Sequence, residues 1–164
     1  MSTVTFQGTP IQLQGHFLKT GQVAPDFHLM DQNLKEKTLH DFPRQKKLLL
    51  TVPSLDTPVC SLSTKKFSQA LQTKKNITIL VVSADLPFAQ KRVCGAEALQ
   101  VTSLSMMKDK SFAKDYGVLI QEGPLAGLCA RSVLLLDEDN LVLYGELVKE
   151  ITLEPNYEQV LALL

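Results

Sequence analysis

Three cysteines, Cys60, Cys94 and Cys129, are the side chains of this sequence with the most chemistry to explain. They are too few, and odd in number, for a secreted disulfide framework, so in a reducing compartment each needs another reason to be there. Cys60 has the most informative surroundings. It ends the segment PSLDTPVC, Pro53 to Cys60, between an apolar run and an amphipathic stretch. In α/β sheets, chemistry and ligands collect at that strand-to-helix position. Thr57 followed by Pro58 reads as a helix N-cap and first helical residue, which makes Cys60 the third. There a sulfur lies near unpaired backbone N–H groups and the positive end of the helix dipole, and both favour thiolate over thiol. A capping box prefers Glu or Gln at this third position, and forgoing that contact marks a place where function overrides local stability.

Magnitudes show what else a nucleophile here requires. A free thiol of pKa ~8.5 is about 3% ionised at neutral pH, and ionising roughly 90% of it takes a pKa near ~6, a shift worth ~3.4 kcal/mol. A helix terminus contributes ~0.3 to 1 kcal/mol, and up to ~2 when partly buried. A cation must supply the rest. Arginine suits best, because its guanidinium stays charged when desolvated and donates from several N–H groups. Residue chemistry alone does not choose which one.

Competing chemistries lack their residues. A cysteine hydrolase needs a histidine base beside its nucleophile, but His16, His28 and His40 all precede the segment and read as surface or packing residues. A dithiol reductase needs two cysteines separated by two residues, and Ser63 stands where the second would be. Three cysteines and a histidine without a close ligand pair make no metal site, and GPLAG lacks the lysine of a phosphate loop. No cofactor is implied. Seventeen Lys and Arg against seventeen Asp and Glu give no positive field for nucleic acid or an acidic membrane. No apolar run approaches the roughly 20 residues of a membrane span, and the start MSTVTFQGTP lacks the features of a signal peptide, so the expectation is a soluble, cytoplasmic protein.

The elements that must position Cys60 follow from patterning. One domain over 1–164 is expected, since 45% hydrophobic content over 164 residues suits a single core and no repeat or linker interrupts it. Residues 1–15 alternate around Gly8-Thr9-Pro10, predicting an N-terminal hairpin. KKLLLTV (46–52) and ITILVVS (77–83) are short apolar runs of strands covered on both faces. Between them, 58–74 predicts a helix with Leu62, Phe67, Ala70 and Leu71 on one side. A second helix follows Pro87 and stops at Gly95, and a third runs from about Asp109 to Tyr116 with Gly117 as its stop. SVLLLDEDNLVLYGEL predicts an antiparallel hairpin about 137–140, and EPNYEQVLALL a last helix. The order implies an α/β, thioredoxin-like fold, a mixed central sheet flanked by helices.

At PSLDTPVC the sequence resembles the peroxiredoxins, whose site pattern is a proline, a threonine four residues on and a cysteine three beyond, here Pro53, Thr57 and Cys60. PSLDTPVCSLSTKKF together with SADLPFAQKRVCGAE is similar to the bacterial thiol peroxidase subfamily, the atypical two-cysteine peroxiredoxins. The likeness continues through KDYGVLIQEGPLAGLCARSVLLLDEDN and LVKEITLEPNYEQVLALL, covering essentially the whole chain. The resemblance implies that Cys60 is the peroxidatic cysteine and Cys94 its resolving partner. It also implies that Thr57 holds thiolate and peroxide, that Pro53 shields the sulfenic acid, and that Arg131 is the cation. Cys129 departs from the family, which commonly has a small residue there, and reads as a buried structural thiol.

The implied activity is reduction of hydrogen peroxide and organic or lipid hydroperoxides through a Cys60 sulfenic acid and a Cys60–Cys94 disulfide, with thioredoxin as reductant. A homodimer is implied too, using the Arg131 side and the segment around Tyr116 to Pro124. The alternative is a redox-sensing thiol protein that does not turn over. About seven helical residues place Cys94 roughly 10 Å from the sheet edge where Cys60 starts its helix, whereas disulfide Cα atoms lie about 4.4 to 6.8 Å apart. Both helix ends are therefore expected to unwind. Closing that loop is worth roughly 3 to 4 kcal/mol in chain entropy, opposed by lost helix bonds, so the disulfide is expected to be reducible.

Overall fold

The computed structural model describes residues 2–164. Its elements in chain order are β1 (Thr3–Phe6), β2 (Thr9–Gln14), β3 (Leu29–Met30), β4 (Glu36–Lys37), β5 (Lys46–Thr51), α1 (Pro58–Leu71), β6 (Ile77–Ser83), α2 (Pro87–Ala96), β7 (Thr102–Ser105), α3 (Ser111–Asp115), β8 (Leu119–Ile120), β9 (Ser132–Leu136), β10 (Val142–Leu147) and α4 (Tyr157–Leu161). The main sheet has the order β10-β9-β5-β6-β7-β3-β4. β5, β6 and β7 are parallel, joined by α1 and α2, while β9 pairs antiparallel to β5 and β10 antiparallel to β9. This is the expected mixed, thioredoxin-like sheet, extended beyond β7 by β3 and β4, two residues each and too short for an alternating pattern to be read.

β5 shows why its sequence is continuously apolar. Leu48 and Leu50 enter one core cluster with Cys60, Phe67, Val93 and Cys94, while Leu49 enters the other with Leu13, Tyr116 and Cys129. Helices α1, α2 and α4 cover the first face, and the hairpin and α3 cover the second. A strand buried on both sides has no polar face.

The hairpin forms, but its turn is Gln7-Gly8 rather than Gly8-Thr9-Pro10. Both turn residues have positive φ, 51° and 83°, matching the twist that a two-residue hairpin loop needs. Thr9 and Pro10 belong to β2, which pairs in turn with β8. α1 ends at Leu71, three residues before the expected limit. Its buried face is also different: Leu62 and Ala70 are exposed, and Ser63, Thr64 and Ser68 turn inward with Cys60, Phe67 and Leu71. Small hydroxyl side chains can be buried when a carbonyl or amide satisfies them, and Ser63 and Thr64 donate to the Cys60 carbonyl at 3.1 and 2.9 Å while Ser68 accepts from Gln100 N–H at 2.9 Å. Gly117 follows α3 as expected, with φ +70°, where any Cβ would collide with the His16–Phe17 backbone.

Candidate active site

The loop from β5 to α1 is held before the helix begins. Asp85, just past β6, accepts from Ser54 Oγ at 2.6 Å, from Leu55 N–H at 2.8 Å and from Ser83 Oγ at 2.7 Å. Pro53, at the start of this loop, is buried. Thr57 has the extended backbone of an N-cap, and Pro58 follows it at the first helical position. Its hydroxyl donates to Ser54 O at 2.9 Å and makes no side-chain cap bond to the helix. Thr57 therefore closes the turn ahead of the helix, which leaves the first N–H groups of α1 open around Cys60.

Arg131 arrives from the other side. Its Nη2 donates to Cys60 Sγ at 3.2 Å, its Nε donates to Ile151 O at 3.0 Å, and its Nη1 is buried with no partner. Cys60 has no solvent exposure, and Arg131 has 3%. In so desolvated a place the attraction between guanidinium and sulfur is much stronger than at a surface. Neighbouring hydroxyls hold the arginine in register: Thr51 at the end of β5 donates to Ala130 O at 2.7 Å, which leaves the Ser132 hydroxyl as donor in their 2.6 Å bond. Thr51 thus grips both residues flanking Arg131, one short loop away from Cys60. The site combines a helix N-terminus, a cation at the sulfur and a spare N–H donor beside it, the components of an activated nucleophile with a binding point for a developing anion.

The other two thiols sit differently. Cys94 lies on α2 in the same core cluster as Cys60, and burial pushes its thiol up, partly offset by a hydrogen bond with Ser103. Cys129 is on the opposite face, fully buried, with its Sγ 3.6 Å from Met106 Sδ, and burial pushes it up to about 12. All three cysteines are free. The segments carrying Cys60 and Cys94 are bridged at the surface by Asp56–Arg92 at 2.9 Å and Lys65–Glu97 at 3.7 Å. His28 and His40 face Glu36 and Asp26 at the surface. Among the described residues no group of three or more His, Cys, Asp or Glu could hold a metal ion, and no helix is long and apolar enough to cross a membrane.

Of the residues singled out from the sequence, the structure joins Cys60 to Arg131, puts Pro53 and Thr57 in the loop before α1, and sets Cys94 on the neighbouring helix. Sequence reasoning missed Asp85 and Thr51. The signal for both was positional: a carboxylate and a hydroxyl at the C-terminal ends of two adjacent parallel strands, where the loops of an α/β sheet are anchored.

A sheet of this order with a cysteine in the first turn of α1 defines a thiol-redox class, and the model of the family described as Redoxin matches residues 19–161; the chain belongs to that family. It is 46% identical to the thiol peroxidase of Leptospira interrogans serogroup Icterohaemorrhagiae serovar copenhageni, over 99% of this chain and 96% of that protein. Among solved structures, a peroxiredoxin-like protein from Aquifex aeolicus superposes with a TM-score of 0.92 at 42% identity, covering 99% of this chain and 95% of that one. A thiol peroxidase from Chromobacterium violaceum gives 0.93 at 25% identity, with the same coverage. Within its family the chain is thus a homologue of the bacterial thiol peroxidases and a peroxidase of the peroxiredoxin type.

Proposed function

We propose that the protein reduces hydrogen peroxide and organic or lipid hydroperoxides in a two-cysteine cycle. The observation that carries the reading is the Arg131 guanidinium, with Nη2 on the Cys60 sulfur and Nη1 buried without a partner. The Cys60 thiolate attacks the distal oxygen of the hydroperoxide, the S–O bond forms as the O–O bond breaks, and the departing alkoxide or hydroxide takes up a proton from solvent to leave as alcohol or water. Nη1 is the donor for the oxygen on which charge develops. The Thr57 hydroxyl, while donating to Ser54, accepts the peroxide O–H, and Pro53 keeps water from the resulting sulfenic acid. Cys94 then attacks that sulfur, a disulfide forms and water is released, which rescues Cys60 from further oxidation. A dithiol of thioredoxin type reduces the disulfide, itself becoming oxidised.

Cys60 and Cys94 start in separate intact helices, so the first turn of α1 and the end of α2 open to let the sulfurs meet. In this reading the whole chain works as one domain, in the cytoplasm, as a homodimer. Tyr116 to Ile120 are buried within the chain, so the exposed Gln121 to Pro124 are the part of that segment left for a partner copy.

The test is turnover together with product mapping. Catalytic amounts of the protein with thioredoxin should consume hydrogen peroxide and cumene hydroperoxide, and one equivalent of peroxide should give a Cys60–Cys94 linkage in peptide mass spectra. Stoichiometric oxidation that never recycles would support a sensor instead, and a linkage through Cys129 would overturn the assignment of Cys94.

A further inference from the structure

We propose that Glu150, together with the N-terminal hairpin it grips, is the positioning device for the Arg131 guanidinium. The inference rests on the reading of Arg131 given above. Five donors converge on the Glu150 carboxylate: Thr5 Oγ1 and Gly8 N–H reach Oε1, both at 2.9 Å, while Gln7 N–H, Thr152 N–H and Thr152 Oγ1 reach Oε2 at 3.3, 3.0 and 2.8 Å. That fills the acceptor capacity of one carboxylate. These bonds hold the carboxyl down to about 2, well below the ordinary carboxylate range.

The geometry links this cluster to the site through one peptide group. Thr5 N–H donates to Lys149 O at 2.7 Å, and Ile151 N–H donates to Thr5 O at 2.9 Å, so residues 149–151 lie against β1 as a single bridge. The Ile151 carbonyl accepts from Arg131 Nε at 3.0 Å. A guanidinium is planar, and its N–H directions are fixed relative to one another. Bonds at Nε and Nη2 set the plane, and the plane sets where Nη1 points. If Ile151 O moves, the guanidinium tilts, Nη2 leaves the sulfur and Nη1 no longer faces the reacting oxygen. The main-chain carbonyl cannot be removed by substitution, but Glu150 controls its placement from the flanking residue. This gives the hairpin turn at Gln7-Gly8, on the far side of β1, a part in the chemistry.

The test uses the full-length reduced protein and Glu150→Gln, which keeps the side chain's size and turns an amide against N–H and O–H donors. The second-order rate of Cys60 with hydrogen peroxide, measured by competition with horseradish peroxidase, is expected to fall about tenfold. Reduction of the disulfide by thioredoxin is expected to be unchanged. The rate loss should vanish in an Arg131→Ala background, because a residue acting through Arg131 has nothing left to position. A lower melting temperature with an unchanged peroxide rate overturns the proposal, as does a loss that persists in the Arg131→Ala background. If Arg131→Ala alone leaves the rate intact, the underlying reading of the site fails first. If Glu150→Gln does not fold, the double variant Thr5→Val with Thr152→Ala strips two hydroxyl donors and leaves the backbone bonds. About a threefold loss is expected there, and none overturns the proposal.

Discussion

Cys60 and Cys129 are both fully withdrawn from solvent and packed on opposite faces of the same sheet, and Arg131, two residues beyond Cys129, reaches across to Cys60. Their burial is equal, but their surroundings are not. Around Cys60 stand the open N–H groups of α1 and a guanidinium at 3.2 Å, while Cys129 touches the thioether of Met106 at 3.6 Å and feels Lys110 and Asp85 only at longer range. Burial pushes the Cys129 thiol up, and the more distant charge of Lys110 offsets this only in part. In the proposed cycle, a cation and a helix terminus set against the thiol, rather than its accessibility, make Cys60 the nucleophile and leave Cys129 as packing.

The contrast can be broken experimentally, starting where the effect is greatest. Cys60→Ser should reduce peroxide turnover to the uncatalysed level, measured as thioredoxin-coupled consumption; residual turnover above background would shift the nucleophile elsewhere. Arg131→Ala makes the surroundings of Cys60 resemble those of Cys129, and about a hundredfold loss in kcat/KM is expected. Asp85→Ala frees Ser54 and Leu55 while leaving both cysteine and arginine in place, and about a tenfold loss should follow, with far-UV circular dichroism unchanged.

Cys129→Ala has the smallest effect: turnover within about twofold, and about 1 kcal/mol of stability lost by urea unfolding. Its sharper signature is in pH. Burial pushes the folded thiol up to about 12 from an ordinary 9.0, so the unfolded chain releases its proton first. Stability from this group is complete below about 9 and declines by ~1.4 kcal/mol per unit as pH climbs towards about 12. The difference between parent and Cys129→Ala unfolding curves should show that slope, and parallel curves would place Cys129 in a more polar setting.

The same pair shows how far residue order alone can be read. The position of Cys60 was legible because an apolar run, a threonine and a proline state where a helix begins, and those cues are local. Arg131 was required by an energy argument, but its contact spans 71 residues, and selecting it from the sequence took a family resemblance. Asp85, Thr51 and Glu150 escaped notice because each acts through hydrogen bonds to distant main chain, for which periodicity carries no signal. The inward face of α1 was misjudged for a related reason. Hydrophobic patterning counts Leu62 and Ala70 as core and Ser63, Thr64 and Ser68 as surface, whereas hydroxyls satisfied by backbone groups pack inside at little cost.

The two ion pairs bridging the segments of Cys60 and Cys94 have a consequence for the redox balance of the protein. Asp56–Arg92 and Lys65–Glu97 are exposed, and they exist while the two helices keep their reduced positions. Joining the sulfurs in the proposed cycle parts them, so they weigh on the dithiol side of the equilibrium. Ionic strength weakens exposed pairs without touching a buried S–S bond. The midpoint potential of the couple therefore becomes more negative as salt is added, which makes the electrolyte around the protein a quiet determinant of how readily its disulfide is handed back to a reductant.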